Sequence, residues 1–203
     1  MDKEIYIIRH GETELNKLGI VQGRGVNSDL NDTGRAQAAA FYARYKDVPF
    51  EKIYTSKLVR THQTVKGFVD AGTPWEQLSG LDELAWGEWE GKPNDENAIA
   101  AFKGLAEKWD TGDFDAHFVG GESPNQVLLR LKEALDEILS HTDEKLVLVC
   151  MHGRAMRMFM CLLMNKPLSE MGEFPHLNTT LYRLQLTGDQ FTIIDFNNTD
   201  HLK

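Results

Sequence analysis

Cysteine is scarce in this chain: Cys150 and Cys161 are the only two in 203 residues. Both sit in apolar stretches, which excludes a disulfide framework or a zinc site and leaves two buried free thiols as the expectation. Long hydrophobic runs are missing as well, so no segment reaches membrane-spanning length. The first ten residues lack the basic-then-apolar pattern of a secretion signal, and a cytoplasmic protein is expected. Positive charge is in deficit, 22 Lys and Arg against 31 Asp and Glu, a formal net charge of −9. That balance argues against nucleic-acid or acidic-membrane partners. It also means that any handling of anions must gather the cations at one place. None of the seven histidines stands one helical turn from another, so no metal site is expected; no cofactor is expected either.

What remains is the composition of an ordinary globular domain, 41% apolar and 26% charged, with enough chain for a sizeable core. No repeat, low-complexity tract or linker divides it, so residues 1–203 are read as one domain. Ile5–Ile8, "FEKIYTS" and "KLVLVCM" read as buried strands. Between and after them come helical patterns: an alanine-rich run from a Thr33 cap, "KLVRTHQTVKGFV" with Ser56 as its cap, and "RAMRMFMCLLMN". Ser123-Pro124 supplies a cap and an N-terminal proline to a helix whose apolar residues recur at 127, 128, 131, 135, 138 and 139. The alternating runs around Thr187-Gly188-Asp189 signal a hairpin. Alternating strands and helices predict a three-layer αβα sandwich, with a mostly parallel central sheet and an antiparallel hairpin at one edge.

Ligands of such folds gather at the carboxyl ends of the strands. There the sequence repeats a punctuation. The strand Ile5–Ile8 runs into Arg9-His10-Gly11, and "KLVLVCM" runs into His152-Gly153. The middle strand ends at Ser56, with Arg60 one helical turn beyond. Were the three strands neighbours, two imidazoles and two guanidiniums would converge on one point, where they would repel one another without an anion. A phosphoryl group fits, because arginine forks match phosphate oxygens. A single histidine at a strand end is usually structural; the combination carries the phosphoryl reading.

"RHGETELN" resembles the signature of the histidine phosphatase superfamily, in its phosphoglycerate-mutase-like branch. "VQGR" (21–24), "LNDTGRAQA" (30–38), "YTSKLVRTHQT" (54–64), "LDELAWGEWEG" (81–91), "GGES" (120–123), "MHG" (151–153) and "NNTDHL" (197–202) follow in that family's order. The resemblance implies that His10 is a nucleophile forming a phosphohistidine, with Arg9, Arg60 and His152 clamping the transferring group. It implies further contacts from Asn16, from Gln22 and Gly23 in a loop over the substrate, and from the Gly153 N–H. Glu83 falls where family phosphatases carry the general acid, whereas Asp82, Glu88 and Glu90 read as solvated charges. No metal is implied. Departures from the family pattern (Leu15, the stretch "GRGVNSDL" with Asp29, and Met151 before the second HG) lie outside the clamp.

The function implied is a metal-independent phosphomonoesterase acting on a small phosphorylated metabolite, in the manner of broad phosphatases, α-ribazole phosphatase or fructose-2,6-bisphosphatase. A phosphoglycerate mutase is the alternative, but it must grip a carboxylate. No arginine lies between Arg60 and Arg130, and the acidic insert at about 91–121, expected over the active site, holds six acids against three lysines. A non-catalytic phosphate sensor is the remaining reading, against which both His10 and Glu83 are retained. Arg24 and Arg154 are expected in surface salt bridges, with an anionic part of the substrate as the alternative partner of either. Trp86 and Trp89 are expected mainly to pack, and His62 stands outside the catalytic set. The oligomeric state is left open.

Overall fold

The computed structural model describes residues 2–203. β1 (Asp2–Arg9), β2 (Lys52–Thr55), β3 (Trp75–Gln77), β4 (Leu146–Met151), β5 (Leu181–Thr187) and β6 (Gln190–Asn198) form one sheet in the order β3-β2-β4-β1-β5-β6. The first four strands run parallel, and β5 and β6 close one edge as an antiparallel hairpin. Besides the short α1 (Glu14–Lys17), the helices are α2 (Asp32–Tyr45), α3 (Val59–Asp70), α4 (Glu96–Asp110), α5 (Pro124–Ser140) and α6 (Gly153–Leu163).

The central strands are apolar on both faces because each face is covered. Tyr6, Ile8, Leu148 and Cys150 pack with Phe41 of α2 and with Val65 and Phe68 of α3. Their alternates Ile5, Ile7, Val147 and Val149 pack with Val127, Leu131 and Ile138 of α5 and with α6. Three layers result, as the alternation of elements predicts. Cys150 and Cys161 are buried free thiols whose pKa values burial raises. No helix among the described residues is long and apolar enough to cross a membrane.

Two helix starts differ from expectation. α2 begins one residue before Thr33, capped by Asn31, whose Oδ1 accepts the Gly34 N–H at 2.8 Å. Asn31 lies three residues before that orphan amide, the reach a cap needs. Ser56 does not cap α3; its Oγ accepts the Leu58 N–H, and the helix starts at Val59 without a side-chain cap. α5 starts as the sequence reads, with Ser123 and Gln126 in a reciprocal capping box and Pro124 in the first turn. Its far end is closed from another element. The buried Lys3 of β1 donates to the carbonyls of Ile138 at 2.6 Å and His141 at 3.0 Å.

The register sets up the site. Arg9 pairs with Met151 across β1 and β4, while Thr55 pairs with Cys150 across β2 and β4. Neighbouring parallel strands therefore end together, and His10, Ser56 and His152 each follow the last paired residue of their strand.

Candidate active site

His10 is 3% exposed, and its Nδ1 lies 2.7 Å from the Gly11 carbonyl oxygen. A carbonyl only accepts, so Nδ1 carries the proton and Nε2 keeps its lone pair. Burial first, then Arg60 and Arg9, hold the His10 pKa well below the ordinary histidine value. The imidazole is thus neutral at physiological pH. Its ring centroid is 5.1 Å from that of His152.

His152 is fully buried and spends both nitrogens on the protein. Nδ1 accepts from Arg60 Nε at 3.2 Å, which places the other proton on Nε2, directed at Ser56 Oγ at 2.7 Å. Arg60, 1% exposed, also donates to the carbonyls of Val26 at 2.7 Å and Gly23 at 3.5 Å. These contacts tie it to the loop that carries Gln22 and Gly23. Burial lowers its pKa to about 10, so it remains a cation. Arg9 donates from Nη1 to the His176 carbonyl at 2.6 Å, while its buried Nε has no partner among the described residues. Two guanidiniums and two imidazoles therefore meet beside the strand ends, and one buried donor is unspent.

Two neighbours hold this loop in place. The Gly11 N–H donates to Thr64 Oγ1, and Asn178 Nδ2 donates to the His10 carbonyl at 3.0 Å. Asn178 also reaches Asn16 Oδ1 at 3.4 Å, and that oxygen accepts the Thr13 N–H in a capping box. The Nδ2 of Asn16 is thereby left for another partner. Gln22 is internally engaged, donating to Thr13 Oγ1 and accepting from Ser28. Gly23 permits a close approach, because a Cβ there would fall 2.0 Å from Glu90 Oε1. At Gly153 a Cβ would stand 3.0 Å from His176 Nδ1 and 3.3 Å from Arg9 Nε.

Glu83 is 8% exposed and sits at the N-terminus of α6. Its Oε1 accepts from the Leu84 and Ala155 N–H groups, while Oε2 accepts only from the Arg154 N–H at 3.0 Å. Oε2 is therefore the oxygen with room to carry a proton. Asp82 is not a solvated charge: it is 4% exposed and accepts from Arg24 Nε and the Lys57 N–H. Glu90 likewise turns inward to the Trp86 N–H, and Glu88 is exposed.

Arg24 forms the expected ion pairs, with Asp82 at 3.1 Å and Glu122 at 3.4 Å. Arg154 does not. Its guanidinium lies over the indoles of Trp86 and Trp109, 5.8 and 5.7 Å from their centroids. Trp86 and Arg154 line a cavity of about 380 Å³ together with Asn16, Gln22, Asn94 and Phe102. Asn94 and Phe102 come from the acidic 91–121 segment, about half of which folds as α4. Trp89 packs against Phe102 and Phe118, and His62 stacks on Trp75 at 4.2 Å. Among the described residues, no three His, Cys, Asp or Glu side chains gather in a group that could hold a metal ion.

A family model for the histidine phosphatase superfamily (branch 1) matches residues 5–199. The chain belongs to that superfamily. It is 38% identical over 139 residues to the fructose-2,6-bisphosphatase TIGAR of Mus musculus, a match covering 65% of this chain and 49% of that protein. The chain thus spans about half the length of that relative. Phosphoserine phosphatase 1 of Hydrogenobacter thermophilus is 26% identical over 200 residues, covering 98% of this chain and 94% of its own. Among solved structures, YhfR of Bacillus stearothermophilus superposes with a TM-score of 0.86 at 26% identity, covering 99% of this chain and all of that one.

In this superfamily member, two residues at the site lie outside the sequence reading. His176 and Asn178 come from the irregular stretch 174–180, which has no periodicity or glycine punctuation to flag it. Burial and Arg9 lower the His176 pKa to about 3, so this imidazole too is neutral. Ser56 was legible as a strand end, but not as the partner that fixes the tautomer of His152.

Proposed function

We propose that the chain is a metal-independent phosphomonoesterase that works through a phosphohistidine at His10 on a small phosphorylated metabolite in the cytoplasm. The observation that carries the reading is the state of His10. It is a neutral imidazole with Nδ1 tied to Gly11 and the Nε2 lone pair set among Arg9, Arg60 and His152.

In the first step Nε2 attacks phosphorus, the P–N bond forms, and the P–O bond to the leaving alkoxide breaks. Glu83 gives that alkoxide its proton. Water then attacks the phosphohistidine, delivering a proton to the Glu83 carboxylate as the P–N bond breaks, and inorganic phosphate leaves. Arg9 and Arg60 counter the negative charge of the transferring group, a duty metal ions perform in other phosphoryl-transfer sites. His152 acts mainly through Arg60, since both its nitrogens are engaged. Phosphatase names among the relatives support net transfer to water.

The test is phosphate release from a panel of phosphomonoesters, with wild type and His10→Ala side by side and EDTA present. The expected result is release that ignores chelator and falls by about 10³-fold or more in the variant, the order seen when a catalytic nucleophile is removed. Release that survives in His10→Ala, or that EDTA abolishes, overturns the reading.

A further inference from the structure

Arg154 is a half-buried cation beside the site that the proposed chemistry leaves unused and, among the described residues, that no oxygen acceptor holds through its side chain. The other arginines of this region each hold at least one oxygen acceptor. Arg130 holds Glu122 and the carbonyls of Gly80, Asp82 and Glu83; Arg24 holds Asp82 and Glu122; and Arg157 donates to the Phe174 carbonyl. The Arg154 side chain makes a single contact of this kind, from Nη1 to the sulfur of Met171 at 3.9 Å. Thioether sulfur is a weak acceptor. Among the described residues no carboxylate lies within 4.0 Å of its guanidinium, although the chain has nine more acids than bases. Desolvation of an unpaired cation is costly. Burial, with Arg157 adding repulsion, lowers its pKa to about 10, so the charge persists at neutral pH.

The surroundings say what would pair with it. Trp86 and Trp109 form an aromatic shelf for the guanidinium, and Arg154 itself lines the cavity. Asn16, on the same cavity wall, has Nδ2 unspent, and Asn178 links Asn16 to the His10 carbonyl. The backbone N–H of Arg154 holds Glu83 Oε2. The cavity thus begins beside the group that would protonate the leaving alcohol.

We infer that Arg154, on its Trp86–Trp109 shelf, anchors a second anionic group on the alcohol portion of the substrate. The preferred ester then carries, besides its phosphoryl group, a carboxylate or a second phosphoryl group. The inference rests on the reading of His10 as phosphoryl acceptor and deepens it. It also changes the argument from the acidic insert: that segment supplies no arginine of its own, but Trp109 of α4 helps to seat one delivered by α6.

The experiment compares wild type, Arg154→Met and Arg154→Lys on four esters: O-phosphoserine and 3-phosphoglycerate with carboxylates, fructose 1,6-bisphosphate with a second phosphoryl group, and p-nitrophenyl phosphate with neither. A hydrogen bond between charged groups corresponds to about a 10- to 100-fold effect. The expected result is that the kcat/KM preference for an anionic ester over p-nitrophenyl phosphate falls by that factor in Arg154→Met. Arg154→Lys should restore part of the preference, and the ester class affected identifies carboxylate or phosphoryl. An unaltered preference in both variants overturns the inference, whether overall activity stays or falls. Calorimetric titration of the same three anionic esters and of inorganic phosphate into His10→Ala, with and without Arg154→Met, separates the two readings. Weaker ester binding on loss of Arg154, with no hydrolysis by wild type, keeps the subsite and removes the phosphatase. Hydrolysis with an unaltered preference does the reverse.

Discussion

At the scale of residues, the site is built by assigning protons. Gly11 takes the Nδ1 proton of His10, and Arg60 and Ser56 take the two faces of His152. Each imidazole is thereby locked in one tautomer. Glu83 is assigned differently, since its Oε1 accepts two backbone N–H groups and Oε2 only one. That asymmetry makes a prediction about leaving groups. An alkyl ester needs a proton on its departing oxygen, whereas nitrophenolate leaves well without one. Glu83→Gln should therefore lose about 10²- to 10⁴-fold on an alkyl phosphate and much less on p-nitrophenyl phosphate. Steady-state kcat on both esters checks it, and equal losses would reduce Glu83 to a helix-terminus anchor.

Among elements, legibility follows the backbone. His10 and His152 were readable because parallel strands in register end together, and each delivers the residue after its last pair to the same edge. Arg60 was readable because one helical turn beyond a strand end has a fixed reach. His176 and Asn178 were not, because their position depends on how an irregular segment lies across β1. The expected salt bridge of Arg154 is absent for a related reason. Its guanidinium is seated by Trp86 and Trp109, residues distant in the chain. The three-residue β3 is too short to leave a pattern.

An element-level prediction follows from how α2 meets the nucleophile loop. A Cβ at Gly34, in the first turn of α2, would fall 2.0 Å from the Glu12 carbonyl oxygen and 2.8 Å from the Glu12 nitrogen. Both are backbone atoms, which cannot rotate away as a side chain would. Gly34→Ala must then part the helix from the loop two residues after His10. A cost of about 1–3 kcal/mol in stability is expected, as for other overpacked sites, together with a fall in kcat from displacement of His10. Urea unfolding and steady-state kinetics on the same preparation check it. Full activity and stability would mean that α2 shifts without moving the loop.

For the whole molecule, the −9 charge and the cationic site pull in opposite directions, and pH exposes the tension. His10, His152 and His176 all have pKa values depressed chiefly by burial, His176 to about 3. Above pH 6.5, the usual histidine value, neither the folded nor the unfolded chain protonates these rings, and stability does not depend on them. Below it the unfolded chain takes up protons that the folded chain refuses, so stability falls as pH falls and levels off only below the depressed values. Each ring contributes a slope of up to about 1.4 kcal/mol per pH unit. Urea unfolding between pH 7 and 5, in a buffer free of phosphate, should show a steep loss of stability. His176→Asn should make the loss shallower. Inorganic phosphate should oppose it, because a bound anion favours the protonated rings and binds only the folded chain. A stability that is flat or rises toward pH 5 would mean that these imidazoles accept protons in place, and the neutral nucleophile would lose its physical basis.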